Sequence, residues 1–257
     1  MTHAAPEPRR GGKAARTPEN PRGLRDIPFK LSPAADAEKR RARRIAADLE
    51  QHYPDAACEL DFQKPHELLV ATILSAQATD VGVNKATPEL FEAFPTPEDF
   101  AAATPEQIEP YIKTIGLYRN KAKAVHAAMS TLVERFGGEV PRSMEALMEL
   151  RGVARKTAAV VLGNAFGIND GFVVDTHIHR LAQRLGLVEW GATVAQTERR
   201  LMVLFPRRKW TDLSHQIIWH GRRACTARGG ICGEHPICAK FGASCEKRRG
   251  ERKRGKT

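Results

Sequence analysis

The 257-residue sequence predicts an all-α fold built from many short helices. Three observations lead there: apolar residues recur at helical spacing in one stretch after another, capping residues stand at the starts of these stretches, and no stretch reads as an alternating strand. The first periodic stretch begins near residue 35, with Arg40, Arg41, Arg43 and Arg44 on polar faces and Ile45, Leu49 and Tyr53 on an apolar one. Pro65 opens the next, which runs through Leu68, Leu69, Ile73 and Leu74. A first-turn proline costs no hydrogen bond, because that amide has no partner inside the helix. Thr96-Pro97-Glu98-Asp99 and Thr104-Pro105-Glu106-Gln107 repeat one device, a hydroxyl cap, a proline and an acid or amide at the third helical position. Gly116, Gly137, Gly167 and Gly186 each follow a periodic apolar stretch and are expected to close helices, since glycine takes the left-handed backbone freely.

Hydrophobic residues at 42% and charged residues at 28% describe an ordinary globular chain, long enough for one or two cores. The formal charge is +11, but it sits at the ends: residues 1–30 hold seven Lys or Arg against three acids, and residues 246–257 seven against two. Residues 1–34 and 246–257 therefore read as basic disordered tails, either lying along a polyanion or merely solvated, around a nearly neutral middle. No apolar run approaches a membrane span, and the start lacks a signal peptide's apolar segment, so a cytoplasmic protein with no membrane partner is expected.

The most informative stretch is Ser143-Met144-Glu145-Ala146-Leu147-Met148-Glu149-Leu150, then Arg151-Gly152-Val153-Ala154-Arg155, then Lys156-Thr157-Ala158-Ala159-Val160-Val161-Leu162. Two apolar helices flank a tight turn. Such a turn is either an ordinary helical corner or a device that aims the free amides of the second helix at a phosphate, gripping DNA without reading its sequence. Lys156 begins that second helix, where the dipole, desolvation and Arg155 favour a neutral, nucleophilic amine. Beyond Gly167, the segment Val173-Val174-Asp175-Thr176-His177 sets an acid at the cap position of another helix. Near the C-terminus, Cys225, Cys232, Cys238 and Cys245 read as a metal site, suited by thiolate chemistry to an iron–sulfur cluster or to tetrahedral zinc. Cys58 stands apart and reads as a small buried residue.

Together with Leu74-Ser75-Ala76-Gln77-Ala78-Thr79-Asp80, Val83-Asn84-Lys85-Ala86, Tyr111-Ile112-Lys113-Thr114-Ile115-Gly116-Leu117-Tyr118 and His220-Gly221-Arg222, the hairpin and the Val-Asp-Thr-His segment resemble the endonuclease III branch of the helix-hairpin-helix glycosylases. The motifs are collinear over roughly residues 35–245. The resemblance implies a base-excision enzyme that removes oxidised pyrimidines and cuts the abasic site by β-elimination through a lysine Schiff base, with Lys156 as nucleophile and Asp175 as its carboxylate. It implies that Gln77 fills the gap left by an extruded base, that Leu117 wedges beside the orphan base, and that Arg151, Gly152, Val153, Ala154 and Arg155 hold the DNA backbone. Asp80 is a further pocket candidate.

The same resemblance implies two helical domains, residues 58–170 with the hairpin and residues 35–57 with 171–245 around a [4Fe–4S] cluster, the active site lying in the cleft between them. The partner implied is double-stranded DNA with damaged pyrimidines or abasic sites, bound by a nucleoid-associated monomer. Three departures stand out. The family's ligand pattern is Cys-x6-Cys-x2-Cys-x5-Cys, whereas this chain reads Cys-x6-Cys-x5-Cys-x6-Cys, with His235 standing where the third cysteine is usual. Ala154 replaces a usual glycine, an expected cost wherever the backbone is left-handed, and Arg151 replaces a usual proline, adding a candidate phosphate contact. Arg222, Arg223, Arg228 and Lys240 are further basic residues beside the cysteines. Two rivals remain: an adenine glycosylase, against which Lys156 and the lack of a further C-terminal domain count, and a non-enzymatic DNA-binding or cluster-sensing relative.

Overall fold

The computed structural model describes residues 20–21, 23–228 and 234–242. These residues are helical with no strand, as the periodicity predicts. The helices are α1 (Asp36–His52), α2 (Pro65–Leu74), α3 (Asp80–Ala93), α4 (Pro97–Ala102), α5 (Pro105–Ile112), α6 (Tyr118–Phe136), α7 (Met144–Met148), α8 (Arg155–Phe166), α9 (Thr176–Arg184), α10 (Val194–Leu204), α11 (Trp210–Arg223) and α12 (Pro236–Phe241). A short 3-10 turn, Arg207–Lys209, leads into α11.

The helix starts follow the sequence chemistry. Before α4, Thr96 Oγ1 accepts from the Asp99 amide at 3.3 Å while Asp99 returns a bond to the Thr96 amide at 3.0 Å, closing a capping box. Before α5, the Gln107 side chain accepts from the Thr104 amide at 2.7 Å. Gly137 and Gly167 close α6 and α8 in the left-handed conformation, and Gly186 takes it just beyond α9. Gly116 does not: its neighbour Leu117 adopts the left-handed angle instead, with φ 61°.

Two hydrophobic cores organise the chain. The first gathers α2 to α8 around α2, whose Leu68, Leu69, Val70 and Leu74 are wholly buried. A helix apolar on every face has to be central, and each such leucine contributes roughly 1.5–3 kcal/mol by leaving water. The second gathers α1, α9, α10, α11 and α12 through Ile45, Leu49, Leu181, Leu201, Trp210 and Phe241. The chain passes from the second core to the first between α1 and α2, and back between α8 and α9. The expectation of a disordered tail over residues 1–34 fails for its described part: Leu24, Ile27 and Leu31 insert into the second core. Apolar residues spaced too irregularly for a helix gave no periodic signal there. The tail expected at residues 246–257 lies outside the described residues.

Candidate active site and cysteine cluster

A cavity of about 250 Å³ is lined from both cores, by Gln77, Asp80 and Lys156 on one side and Asp175, His215 and Arg222 on the other. A larger groove of about 910 Å³ runs past Leu187, Trp190 and Arg200 but contains none of the predicted site residues. Lys156 is the second residue of α8, and Asp175 is the N-cap of α9, its Oδ1 accepting from the Ile178 amide at 2.7 Å. Burial is the main influence raising the Asp80 carboxyl above its ordinary range, with Lys156 opposing and Asp175 reinforcing the rise. The three predicted groups thus share one electrostatic environment.

The hairpin between α7 and α8 resolves the question of Ala154. Ala154 is the N-cap of α8 with φ −88° and ψ 168°, an extended backbone open to any residue, so the alanine is not strained. The left-handed angle falls on Gly152, φ 83°, where an added Cβ would also lie 3.2 Å from the Ala124 methyl. Leu150 and Val153 are buried and fasten the turn, whereas Arg151 and Ala154 are exposed. No side chain caps α8, and its first-turn amides are therefore not answered by a cap. Arg155, expected to touch DNA, has its guanidinium committed elsewhere: Nε donates to Glu198 Oε1 at 2.9 Å and Nη2 to the Asp170 carbonyl at 3.1 Å.

Gln77 and Leu117 are the non-glycine residues with positive φ among those described, at 55° and 61°. Both side chains are exposed, Leu117 by 58%. Left-handed backbone costs an L-residue roughly 1–2 kcal/mol, and such strain persists only where surrounding structure enforces it. It falls on the two residues expected to probe the DNA stack.

Arg222, read in sequence as a basic residue beside the cysteines, crosses the cavity wall: one arm pairs with Glu59, and Nη2 donates to Asp80 at 2.7 Å. Sequence reasoning missed this triad because Glu59 and Asp80 belong to the first core and Arg222 to the second. Only the proximity of Asp80 to Gln77 offered a signal. Cys58 is half-buried on the same cavity wall, its thiol pushed up mainly by burial.

Of the four predicted cysteine ligands, Cys225 and Cys238 are buried, and with His220 they offer ligand atoms all within 4.8 Å of one another. Cys232 and Cys245 lie outside the described residues. Arg184 Nη1 donates to Cys225 Sγ at 3.2 Å. His220 Nε2 lies 3.3 Å from Cys238 Sγ, and its Nδ1 lies 2.9 Å from the Tyr53 hydroxyl. Tyr53 in turn meets His235 Nε2 at 3.2 Å, and His235 Nδ1 accepts from the Ile237 amide at 3.3 Å. An acceptor role at His235 Nδ1 puts the proton of the neutral ring on Nε2, which donates to the Tyr53 oxygen; Tyr53 donating to His220 Nδ1 and His220 Nε2–H donating to the Cys238 sulfur is an arrangement that satisfies the rest of the chain. Burial first, then the charge of Cys238, pushes the Tyr53 phenol up to about 12, keeping it a donor. His235 is therefore a support one step removed, and the histidine beside the thiols is His220. Buried sulfurs receiving donors from an arginine and a histidine have the donor set of thiolate metal ligands.

Residues 70–207 match the HhH-GPD superfamily of base excision DNA repair proteins. The chain is 50% identical over 198 residues to the endonuclease III of Synechocystis sp., covering 77% of this chain and 90% of that protein. It is 44% identical over 189 residues to the endonuclease III of Escherichia coli K12, covering 74% and 89%. Its fold is similar to a non-covalent endonuclease III–DNA complex, with TM-score 0.78 and 40% identity over 82% of this chain and 98% of that one. It is similar also to a trapped covalent endonuclease III–DNA intermediate, with TM-score 0.77 and 41% identity over the same shares, 82% and 98%.

Proposed function

The chain belongs to the endonuclease III branch of the HhH-GPD superfamily of base excision DNA repair proteins, and on that premise we propose that it excises oxidised pyrimidines and cuts the resulting abasic site with Lys156 as nucleophile and Asp175 as its carboxylate partner. The observation that supports this most is the single cavity shared by Lys156, Asp175 and Gln77, whose walls come from both cores. We read those cores as two domains, residues 58–170 and residues 35–57 with 171–245, with the cavity as the cleft between them.

The chemistry follows from the groups present. A neutral Lys156 amine attacks C1′ of the extruded nucleotide, the C1′–base bond breaks, and the base leaves with the bonding pair. As positive charge develops on the sugar, Asp175 stabilises it; one carboxylate oxygen holds the α9 cap and the other is available to the sugar. Loss of the amine's proton and opening of the ring give a Schiff base at C1′. Removal of a C2′ proton then expels the 3′ phosphate, and water returns the lysine. Gln77 and Leu117, aimed outward by their strained backbone, are suited to entering the stack, and the hairpin amides to donating to a phosphate. Cys225 and Cys238, with Cys232 and Cys245, would hold a [4Fe–4S] cluster, which supplies structural cross-linking and a charged centre near DNA rather than a step of base removal.

The deciding experiment is borohydride trapping on abasic DNA. A lysine Schiff base is reducible to a stable adduct, whereas a water-activating glycosylase gives none. We expect the adduct on Lys156, and we expect Lys156→Gln to lose trapping, base excision and nicking together while still binding the lesion. Full trapping by Lys156→Gln would assign the nucleophile to another amine.

A further inference from the structure

The N-terminal stretch ahead of α1 is held closed by one buried amide. Asn20, only 6% exposed, donates to the carbonyls of Ile27 at 3.0 Å and Phe29 at 2.9 Å, and its Oδ1 accepts from the Leu31 amide at 2.8 Å. Leu24, Ile27 and Leu31 are thereby turned into the second core. Phe29 is only partly buried, packing against the outside of that core. Two guanidinium groups lie over its ring, with Arg155 Cζ 4.9 Å and Arg199 Cζ 4.8 Å from its centroid.

Arg155 immediately precedes Lys156 and is the first residue of a helix that no side chain caps. What fixes that first turn laterally is the Arg155 side chain: its edge is bonded to Glu198 and to the Asp170 carbonyl, and a face is covered by Phe29. The same segment also reaches, through Arg207, the connection that follows α8. Asp26 pairs with Arg207, whose Nε donates to the Asn169 carbonyl at 2.6 Å and whose Nη2 meets Asp170 at 3.2 Å. Residues 169–170 belong to the connection that runs from α8 to Asp175.

We propose that residues 20–21 and 23–31 form a strap that buttresses the active site, with Phe29 acting through Arg155 as a positioning residue for Lys156. This rests on Lys156 being the nucleophile. A guanidinium over an aromatic face is attracted by the ring quadrupole, so the contact is specific to an aromatic ring and not merely to apolar bulk. Without the ring, Arg155 keeps its bonds to Glu198 and to the Asp170 carbonyl but loses the aromatic surface that seats its guanidinium, and with it the exact placement of the helix turn that carries Lys156; misplacing a reacting group by about 1 Å slows chemistry by up to about 100-fold.

The test uses the full-length protein with Phe29→Ala, Phe29→Leu and Phe29→Tyr. Three quantities are measured for each: the single-turnover β-elimination rate on a ready-made abasic duplex, the Kd for a duplex bearing an uncleavable tetrahydrofuran site, and Tm. We expect Phe29→Ala to cut the rate about tenfold while Kd stays within about twofold, Phe29→Leu to remain slow although it restores bulk, and Phe29→Tyr to recover the rate. Should Phe29→Ala be too unstable to assay, the Leu and Tyr variants decide between bulk and ring. A rate unchanged in Phe29→Ala, or fully recovered by Phe29→Leu, would overturn the positioning role, as would a loss of Tm alone. The wild-type control separates this from the functional reading: if the unmodified protein forms no borohydride adduct at Lys156, that reading has failed and the strap proposal falls with it.

Discussion

Leu117 and Gln77 show how much a single backbone angle carries here. The glycine at 116 is spared the left-handed conformation that the leucine beside it must hold, so the chain retains a strained residue where an unstrained one was one position away. Packing does not explain it, since Leu117 is 58% exposed. A side chain kept outside the core on a costly backbone fits the proposed role of Leu117 as a wedge in the DNA stack. Leu117→Gly is therefore expected to relieve roughly 1–2 kcal/mol of strain, partly offset by glycine's greater freedom when unfolded, up to about 1 kcal/mol. Its Tm should hold or rise slightly, while single-turnover excision from a lesion-bearing duplex falls more than cleavage of a ready-made abasic site. Differential scanning calorimetry alongside both assays checks this; a Tm lowered by more than a few degrees would mean that packing, not function, holds the leucine in place. Ala154 carries the opposite lesson. Its substitution for glycine suggested strain from sequence, and its extended φ of −88° shows none.

At the scale of elements, the sequence was most legible where local chemistry alone decides. The starts of α2, α4, α5 and α9 follow from a proline, a hydroxyl or an acid followed by a helical pattern, and the structure has each where expected. It was least legible where residues distant in sequence meet. Nothing local pairs Arg222 with Glu59 and Asp80, stacks Phe29 on Arg155, or sets Tyr53 against His220, 167 positions away. The cysteine arm shows both cases. Its thiols were evident, yet His235, which stands where the family's third cysteine is usual, caps α12, and a histidine from α11 stands beside the sulfurs. That division of roles makes a prediction. Purified protein should be yellow-brown, with absorbance in the region of about 400 nm, as for an iron–sulfur cluster on thiolates. Cys238→Ser should lose the colour, and His235→Ala should keep it with a less stable α12. Colourless protein with stoichiometric zinc would contradict the cluster, and bleaching by His235→Ala would restore that residue as a ligand.

For the whole molecule, the question is how a chain with a nearly neutral middle holds a polyanion. The cavity wall even spends a cation on two acids, since Arg222 is paired with Glu59 and Asp80. Arg155 and Arg207 are likewise tied to acids. The ends of the sequence are therefore expected to supply long-range attraction to DNA, residues 1–19 carrying Arg9, Arg10, Lys13 and Arg16 and residues 246–257 seven more cations. Each phosphate neutralised adds about 0.9 to the slope of log affinity against log salt. Removing residues 1–19 should flatten that slope by up to about 3 to 4 and leave abasic-site cleavage at low salt intact. A cut after residue 31 removes Arg22, Arg25 and Lys30 as well as the Asn20-closed strap, so its salt slope should flatten further while its single-turnover rate at saturating enzyme and low salt falls. Measured side by side over a salt series, the two truncations separate electrostatics from positioning. An unchanged slope after the first cut would take the N-terminal charges off the DNA, and equal cleavage rates after both would show that the folded half of the N-terminal segment does no more than cover the second core.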